Sequence, residues 1–213
     1  YFLAYNECES NDFTLSEGGR RLELLKSDIS DWRITFVDTG LNATIGMRLR
    51  AVKKHLAGEE YFLANYSDGL TDLPLDEQVE DFVAQGKIAS FLCVRPNLSF
   101  HMVQSDERGR VTAIEDIARS HLRINGGFFI FKQEIFEFLR EGEDLVNEPF
   151  QRLLERDELL AYRYDGFWQA MDTFKDRQAL EHRHSLGNAP WELWKRQDSL
   201  ASLSAPRLIE PHM

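Results

Sequence analysis

Two aspartates follow apolar or aromatic runs of the sequence and are the residues best placed to do chemistry. Asp68 ends the run Tyr61-Phe-Leu-Ala-Asn-Tyr-Ser67 and is followed by Gly69, and Asp172 follows Phe167-Trp-Gln-Ala-Met171. Ligands bind at the carboxyl ends of strands in open α/β sheets, so Asp68 is placed to hold a divalent metal on a nucleotide phosphate. The alternatives are an Asp-Gly turn at Asp68 and a helix N-cap at Asp172.

The elements that must position these side chains form an α/β pattern. The run from Tyr61 predicts a buried strand, residues 75–85 predict a helix, and residues 88–94 predict a second buried strand. Strand, helix and strand together predict a βαβ unit with a right-handed crossover. Other segments predict hairpins at 13–25 and 100–114, strands at 32–37, 124–131 and 159–164, and helices at 45–56, 134–139, 150–155 and 174–184.

Composition excludes several classes of function. The chain has 213 residues, of which 43% are hydrophobic and 29% are charged, and this suits one sizeable domain with small additions. We expect residues 1–173 to form that domain and residues 174–213 to form a helical extension with a tail. A net charge of −11 argues against nucleic-acid binding, and no apolar run has the length of a membrane span. Two distant cysteines, Cys8 and Cys93, favour a cytoplasmic location.

Four blocks resemble, in their order, the glucose-1-phosphate cytidylyltransferases of the sugar-1-phosphate nucleotidyltransferase family. They are Val37-Asp-Thr-Gly-Leu-Asn42, Tyr66-Ser-Asp-Gly69 with Asp72, Ile124-Asn-Gly-Gly-Phe-Phe129, and Asp165-Gly-Phe-Trp-Gln-Ala-Met-Asp-Thr173. The resemblance implies a Rossmann-like nucleotidyltransferase fold with a mainly parallel, mixed sheet. It further implies cytidylyl transfer from CTP to glucose 1-phosphate with Mg²⁺, giving CDP-sugar and pyrophosphate, by a homo-oligomer that is a trimer or a hexamer.

The resemblance also assigns roles to individual residues. Asp68 and Asp172 are implied as the catalytic pair that holds Mg²⁺. The implied nucleotide contacts are Arg48, Ala43 and Ser67. The implied sugar contacts are Tyr66, Asn125, Gly126, Trp168 and Glu115. Structural alternatives remain for several of them: a solvated helix arginine at Arg48, an Asn-Gly turn at Asn125, and core packing for Tyr66 and Trp168.

The chain departs from the family pattern at several positions. Ala43 stands where the family has threonine, Ser67 where it has glycine, and Met47 where it has the second of two glycines. The family's Glu-Lys-Pro segment falls in the region Ile114-Glu-Asp-Ile-Ala-Arg119, where either Glu115 or Asp116 stands for the glutamate and the lysine that neutralises the sugar phosphate is absent. These departures keep two alternatives open: a related transferase for another nucleotide or sugar, and a non-catalytic homologue that binds nucleotide sugars.

The glycine-rich phosphate loop of the family has no counterpart in this sequence. We therefore expect the fold to be N-terminally incomplete, with an unpaired edge on the sheet. Because phosphoryl transfer needs positive charge and N–H donors around the leaving pyrophosphate, we also expect the 213-residue chain to be inactive by itself.

Overall fold

A computed structural model describes residues 2–27, 29, 31–97 and 100–195. The chain divides into two units, Tyr1–Asp38 and Thr39–Met213. The expected boundary between residues 173 and 174 stays a prediction, and most of the expected tail, residues 196–213, lies outside the described residues.

The first unit contains the predicted hairpin. Strands β1 (Phe13–Ser16) and β2 (Arg21–Leu24) pair antiparallel, and Gly18 lies between them with a left-handed φ of 67° that suits glycine. The strand predicted at residues 32–37 is wrong, because the described residues of this segment are irregular. Its aromatic residues pack instead against the ring of Phe2, at centroid distances of 6.5 Å for Trp32 and 6.1 Å for Phe36. The alternating residue types in this segment indicated two faces. A strand also needs a neighbouring strand to pair with, and the alternation gave no information about one.

The second unit alternates short strands with helices, largely as predicted. Its helices are α1 (Ile45–Val52), α2 (Leu75–Gln85), α3 (Ile135–Phe138), α4 (Glu148–Glu155) and α5 (Phe174–Ser185). Its strands are β3 (Tyr61–Ala64), β4 (Gly69–Thr71), β5 (Ala89–Val94), β6 (His101–Ser105), β7 (Val111–Asp116), β8 (Ile124–Asn125), β9 (Phe129–Lys132), β10 (Leu159–Arg163) and β11 (Trp168–Ala170). In the described ranges no helix has the length and apolarity needed to cross a bilayer.

The central sheet has the strand order β10-β5-β9-β3, and β8 also pairs with β5. Strands β10 and β5 are parallel, whereas β9 pairs antiparallel with both β5 and β3. Strands β3, β5 and β10 therefore share one direction, and β9 runs against them between β3 and β5. The α/β fold class with a mixed sheet is confirmed, although the only parallel pairing among the described strands joins β10 to β5. The predicted strand–helix–strand unit is present as β3, α2 and β5, with β9 inserted between its strands.

Each face of β5 contributes to a separate hydrophobic cluster. The larger cluster contains buried residues of the sheet and of α1, α3 and α4, among them Leu49, Phe62, Phe131 and Leu153, with Phe91 packed against it. The smaller cluster contains Leu73, Leu92 and Val94. Successive residues of a strand point to opposite faces, so Phe91 on one side alternates with Leu92 and Val94 on the other. Burying each large apolar side chain stabilises the folded state by about 1.5–3 kcal/mol. Because β5 is packed in this way on both faces, the ends of the strands near it are held in place.

Strand β3 ends the sheet on one side among the described strands. Its Leu63 is 49% exposed, although Phe62 beside it is buried in the larger cluster. Strand β10 ends the described sheet on the other side, and the expectation that missing N-terminal strands leave an unpaired edge stays a prediction. The effect of such an edge on solubility and association stays a prediction.

Candidate active site

Three segments that are distant in sequence meet at one end of the central sheet: residues 65–69, 124–128 and 168–172. We call them the strand-end site. The first follows β3, the second contains β8, and the third contains β11, which pairs antiparallel with β4. Hydrogen bonds described below join all three. The sheet therefore brings together three of the four sequence blocks that carry the family resemblance.

Asp68 and Asp172 lie on adjacent segments of this site. Asp68 occupies the turn before β4 and is half-buried, while Asp172 is exposed just beyond β11. The Met171 N–H donates to the Asp68 carbonyl at 2.9 Å, and this bond joins the two segments next to both aspartates. Within the described ranges, neither carboxylate has a hydrogen-bond or ion-pair partner. Both side chains are thus available to a ligand.

Asp72 has a different role, although it belongs to the same sequence block as Asp68. Its Oδ1 accepts from the Tyr164 hydroxyl at 2.5 Å and from the Phe167 N–H at 2.7 Å. The Asp72 N–H in turn donates to the Phe167 carbonyl at 3.2 Å. Asp72 therefore fixes the segment before β11 against β4, which positions Trp168 and Asp172.

Tyr66 and Asn125 meet at the centre of the strand-end site. Burial raises the pKa of Tyr66, the charge of Asp144 raises it further, a hydrogen bond with the Asn125 side chain lowers it, and the charge of Asp68 adds a smaller upward effect. The ring of Tyr66 lies beside the segment that follows Asn125, since a Cβ on Gly127 would lie 3.1 Å from Cδ2 of Tyr66. The Tyr66 ring meets Phe129 edge-on at a centroid distance of 5.3 Å, so the larger cluster fixes its position.

The Asn125 side chain combines a turn contact with the contact to Tyr66. Its Oδ1 accepts from the Gly127 N–H at 2.9 Å, as an Asx turn would. The turn alternative is therefore confirmed as a structural fact, and Asn125 also faces Tyr66. The two contacts together hold the amide in one orientation.

The glycines after Asn125 are required by the packing of the protein itself. A Cβ on Gly126 would lie 3.0 Å from Nε1 of Trp168 and 3.0 Å from Cγ2 of Val94. Gly127 has a φ of +76°, and a Cβ there would lie 2.5 Å from Oδ1 of Asn65. The family resemblance implies Gly126 as a sugar contact, which stays a prediction. The structure shows that Trp168 and Asn65 occupy the space beside their α-carbons.

Trp168 supports the backbone of this segment and also lines a cavity. Its Nε1 donates to the Gly126 carbonyl at 2.8 Å, and its ring packs against the smaller hydrophobic cluster. The same side chain lines a cavity of about 190 Å³ together with Asp172, Ile124 and Gln169. Core packing and a place in the pocket wall are thus both features of Trp168.

Two polar residues of this region escaped the sequence analysis. The Asn65 Oδ1 accepts from the Phe128 N–H at 2.8 Å, and the buried Gln78 donates to the Phe128 carbonyl at 2.9 Å. Together they hold Phe128 at a left-handed φ of 47°, which is unusual for a bulky residue. The available signal was Gln78 itself, a polar residue four positions before the buried Phe82 on the inward face of α2.

Arg48 binds the loop that precedes its own helix. Its guanidinium donates to the carbonyls of Ala43 and Leu41, at 3.1 and 3.2 Å, and to the Thr39 hydroxyl at 3.1 Å. It is therefore more than a solvated helix arginine, and Ala43 contributes its carbonyl to the same contact. Arg48 and Tyr66 also line one largely apolar cavity of about 270 Å³ between α1 and the sheet.

The first turn of α1 lies against a later loop. The Thr44 hydroxyl caps the helix by accepting from the Met47 N–H at 3.3 Å, and it donates to the Glu143 carbonyl at 2.7 Å. A Cβ on Gly46 would lie 2.9 Å from that same carbonyl oxygen. The family has glycines at the positions of both Gly46 and Met47. This chain keeps the glycine at Gly46, where the Glu143 carbonyl leaves no room for a side chain.

Ser67 and Glu115 are both exposed, but only Ser67 lies in the strand-end site. Ser67 immediately precedes Asp68 in the turn after β3. Glu115 lies opposite Met102 in the hairpin of β6 and β7, which forms a separate two-stranded sheet. Asp116, in the region where the family lysine is absent, caps a short 3-10 turn by accepting from the Ala118 N–H at 3.0 Å. In the described ranges no hydrogen bond or ion pair connects Glu115 to the strand-end site.

Comparisons with known proteins show which family the chain resembles over most of its length. The chain is 30% identical over 197 residues to the glucose-1-phosphate cytidylyltransferases of Salmonella typhi and Salmonella typhimurium. Each match covers 92% of this chain and 76% of the relative. A solved structure, HddC from Yersinia pseudotuberculosis, is similar with a TM-score of 0.45 and 13% identity, over 64% of this chain and 60% of that one. No protein-family profile matches the chain.

Proposed function

Because the chain belongs to the glucose-1-phosphate cytidylyltransferase family, we propose that it acts in cytidylyl transfer from CTP to glucose 1-phosphate. The observation that carries the proposal is the joining of Asp68 and Asp172 at the strand-end site, with Tyr66 and Asn125 beside Asp68. In support, the carboxylates of Asp68 and Asp172 lie on adjacent, hydrogen-bonded segments, and the charge of Asp68 acts on Tyr66. Such groups suit a phosphorylated sugar on one side and a metal-bound nucleotide on the other.

Mg²⁺ fits the donor set of the strand-end site. It binds through one or two carboxylates and keeps several waters, so a pair of aspartates is sufficient. In the described residues no group of three or more His, Cys, Asp or Glu side chains forms a larger metal site. We propose that Asp68 and Asp172 hold this ion. When bound, Mg²⁺ would neutralise charge on the triphosphate.

The other residues contribute positioning. Asn125 is held by Gly127 and Tyr66, so its amide can meet vicinal sugar hydroxyls without losing much freedom on binding. Arg48 holds residues 39–43 as one unit, and we propose that this unit, with Ala43, contacts the nucleotide. Ser67 and Gly126 contribute backbone beside Asp68 and Trp168. Glu115 lies in a separate two-stranded sheet and is exposed, so we propose only a minor role for it.

The test is pyrophosphate release from CTP and glucose 1-phosphate in the presence of Mg²⁺. The assay compares the 213-residue chain with a protein extended at its N-terminus by the glycine-rich phosphate loop of a family member, and we expect the extended protein to release more pyrophosphate because the loop supplies donors for the β- and γ-phosphates. Equal rates from both proteins would contradict the expected inactivity. Binding of CDP-glucose without turnover in the extended protein would instead favour the non-catalytic homologue. Turnover with another nucleotide or sugar would favour the related transferase.

Assembly and location remain further proposals. We propose a homotrimer or homohexamer, located in the cytoplasm, on the family resemblance and the scarcity of cysteine. Light scattering of the extended protein measures the first of these directly.

A further inference from the structure

A second cavity, of about 420 Å³, lies near the ends of β5 and β10. Its wall includes three arginines and a histidine, with the residues Cys93, Arg95, His121, Arg123, Ala161 and Arg163 around it. Ala161 and Arg163 are two apart on β10, and Cys93 pairs with Arg163 in register. These side chains therefore share the face of the sheet that also carries Phe91. In a chain of net charge −11, this is a concentration of positive charge.

Two of the arginines already converge on one anionic oxygen. Nε of Arg95 and Nη2 of Arg123 both donate to Oδ1 of Asp165, at 2.9 and 2.8 Å. Nη1 of Arg123 also donates to the carbonyls of Cys93 and Tyr164, each at 3.2 Å. Both arginines together lower the pKa of Asp165. The site therefore holds two guanidinium groups in fixed positions around an oxyanion.

Donors remain for a further anion in the same cavity. Arg163 is exposed and, among the described residues, has no hydrogen-bond or ion-pair partner. Arg95 uses only Nε in its contact with Asp165. The carboxylate of Asp165 is bound by the guanidinium groups of Arg95 and Arg123, and the side chain of Arg163 adds a third positive charge to the cavity wall. Guanidinium forks match the geometry of phosphate oxygens, and each such bond is charge-assisted.

We propose that this cavity binds a phosphate group, either free phosphate or the phosphate of a monoester. It lies beside the strand-end site without overlapping it. Arg163 is the register partner of Cys93, and Cys93 is the register partner of Asn125 on β8. Two strand spacings, about 10 Å, thus separate the backbones of Arg163 and Asn125. A phosphate here is within one small-molecule length of the proposed sugar contact.

Cys93 supplies a reporter inside the cavity. The full chain with Cys8→Ser carries Cys93 as its single thiol, so the rate of thiol modification measures occupancy. Inorganic phosphate is titrated at constant ionic strength, with chloride as the reference anion. We expect phosphate to slow modification of Cys93, and Arg163→Gln to weaken the apparent phosphate affinity by about tenfold or more. The matched control is Arg108→Gln, an exposed arginine at the tip of the β6–β7 hairpin, which removes the same charge outside the cavity.

The proposal is supported if phosphate protects Cys93 from modification in the protein with the wild-type cavity and in Arg108→Gln, and if this protection is lost only in Arg163→Gln. No protection by phosphate, or equal protection in the two arginine variants, overturns it. Glucose 1-phosphate then identifies the source of the phosphate. Protection by the sugar phosphate that requires Asn125, tested with Asn125→Ala, assigns the cavity to the substrate, and protection independent of Asn125 assigns it to a separate phosphate-bearing ligand. Neither result depends on turnover, so failure here is distinct from failure of the proposed transferase activity.

Discussion

The strand-end site and the β6–β7 hairpin both carry residues implied by the family resemblance, but their surroundings differ. In the strand-end site, the segments are tied to one another and rest on two hydrophobic clusters. Among the described strands, β6 and β7 of the hairpin pair only with each other, and their apolar residues Val103 and Ile114, a register pair, are 58% and 64% exposed. Three of the blocks that carry the family resemblance lie in the first region, with Ser67 as a departure from the pattern, and the family's lysine is absent from the second. The comparison teaches that the core constrains the first region, whereas the hairpin tolerates change.

The largest effect that separates the two regions is expected in activity. Asp68→Asn should lower pyrophosphate release by the N-terminally extended protein by about 10²–10³-fold, as removal of one group that stabilises transition-state charge does elsewhere. Glu115→Gln in the hairpin should lower it by less than about tenfold, because an exposed hydrogen bond contributes only about 1 kcal/mol. Initial rates with CTP, glucose 1-phosphate and Mg²⁺ measure both. Equal losses of rate in the two variants would contradict this difference and would show that Glu115 of the hairpin takes part in the reaction.

A pair of glycines with nearly the same backbone conformation tests packing next. Gly127 has a φ of +76° and a crowded α-carbon, whereas Gly109 in the hairpin has a φ of +77° and open space around it. Alanine at either site carries about 1–2 kcal/mol of left-handed strain, and at Gly127 overpacking adds about 1–3 kcal/mol. Urea unfolding should therefore show Gly127→Ala to be the less stable variant. If both variants have the same unfolding free energy, the backbone around Gly127 accommodates a methyl group as easily as the hairpin does, and the prediction is wrong.

A smaller difference in unfolding free energy is expected between variants of two aspartates that accept hydrogen bonds, Asp72 in the strand-end region and Asp106 in the hairpin. Asp72→Ala removes the acceptor of the Tyr164 hydroxyl and the Phe167 N–H, and we expect a loss of about 1.5–3 kcal/mol. Asp106→Ala in the hairpin removes the acceptor of the Arg108 and Arg110 N–H groups, which belong to an exposed local turn, and we expect a loss of about 1 kcal/mol or less. Thermal and urea unfolding measure both losses. A larger loss for Asp106→Ala would reverse the ranking of the two regions.

The smallest expected effect is a dependence of stability on alkaline pH. Burial, with the charges of Asp144 and Asp68, raises the pKa of Tyr66 above its ordinary value of 10.0. The folded state therefore holds this proton more tightly than the unfolded state, so stability is fully present below pH 10 and falls as pH rises through the raised pKa. Tyr66→Phe should reduce that alkaline loss. Phenolate absorbance, compared between wild type and Tyr66→Phe, measures the pKa directly. Titration of Tyr66 at its ordinary value would mean that this site is as well hydrated as the hairpin.

Sequence patterns predicted local elements well and their partners less well. The bounds of α2 follow from its amphipathic spacing and from Gly86, which ends the helix in a left-handed conformation. The alternation in residues 32–37 indicated two faces, but a strand also needs a neighbour, and these rings found Phe2 instead. Likewise, β9 separates the two strands of the βαβ unit, because pairing across the sheet depends on residues far away in sequence.

The candidate site shows the same limit. The blocks containing Asp68, Asn125 and Asp172 indicated which segments meet. They did not indicate that Asn65 and Trp168 fill the space beside the glycines, or that Arg48 holds its own preceding loop. These contacts depend on side-chain positions set by the whole fold. A single sequence reports residue types and spacing, but not which neighbour fills a given space.

The bonds that join the strand-end site also bear on how the chain folds. Asn65 reaches Phe128 across 63 residues, Trp168 reaches Gly126 across 42, and the Thr71 hydroxyl donates to the Phe167 carbonyl across 96. Contacts of such separation form only after the entropy of closing long loops has been overcome. Helices α1 and α2 can therefore gain local order early, while the arrangement around Asp68 waits for the sheet to close. Binding competence should accordingly arise in the slowest folding phase, and a nascent chain that ends before Trp168 holds the two halves of its site unjoined.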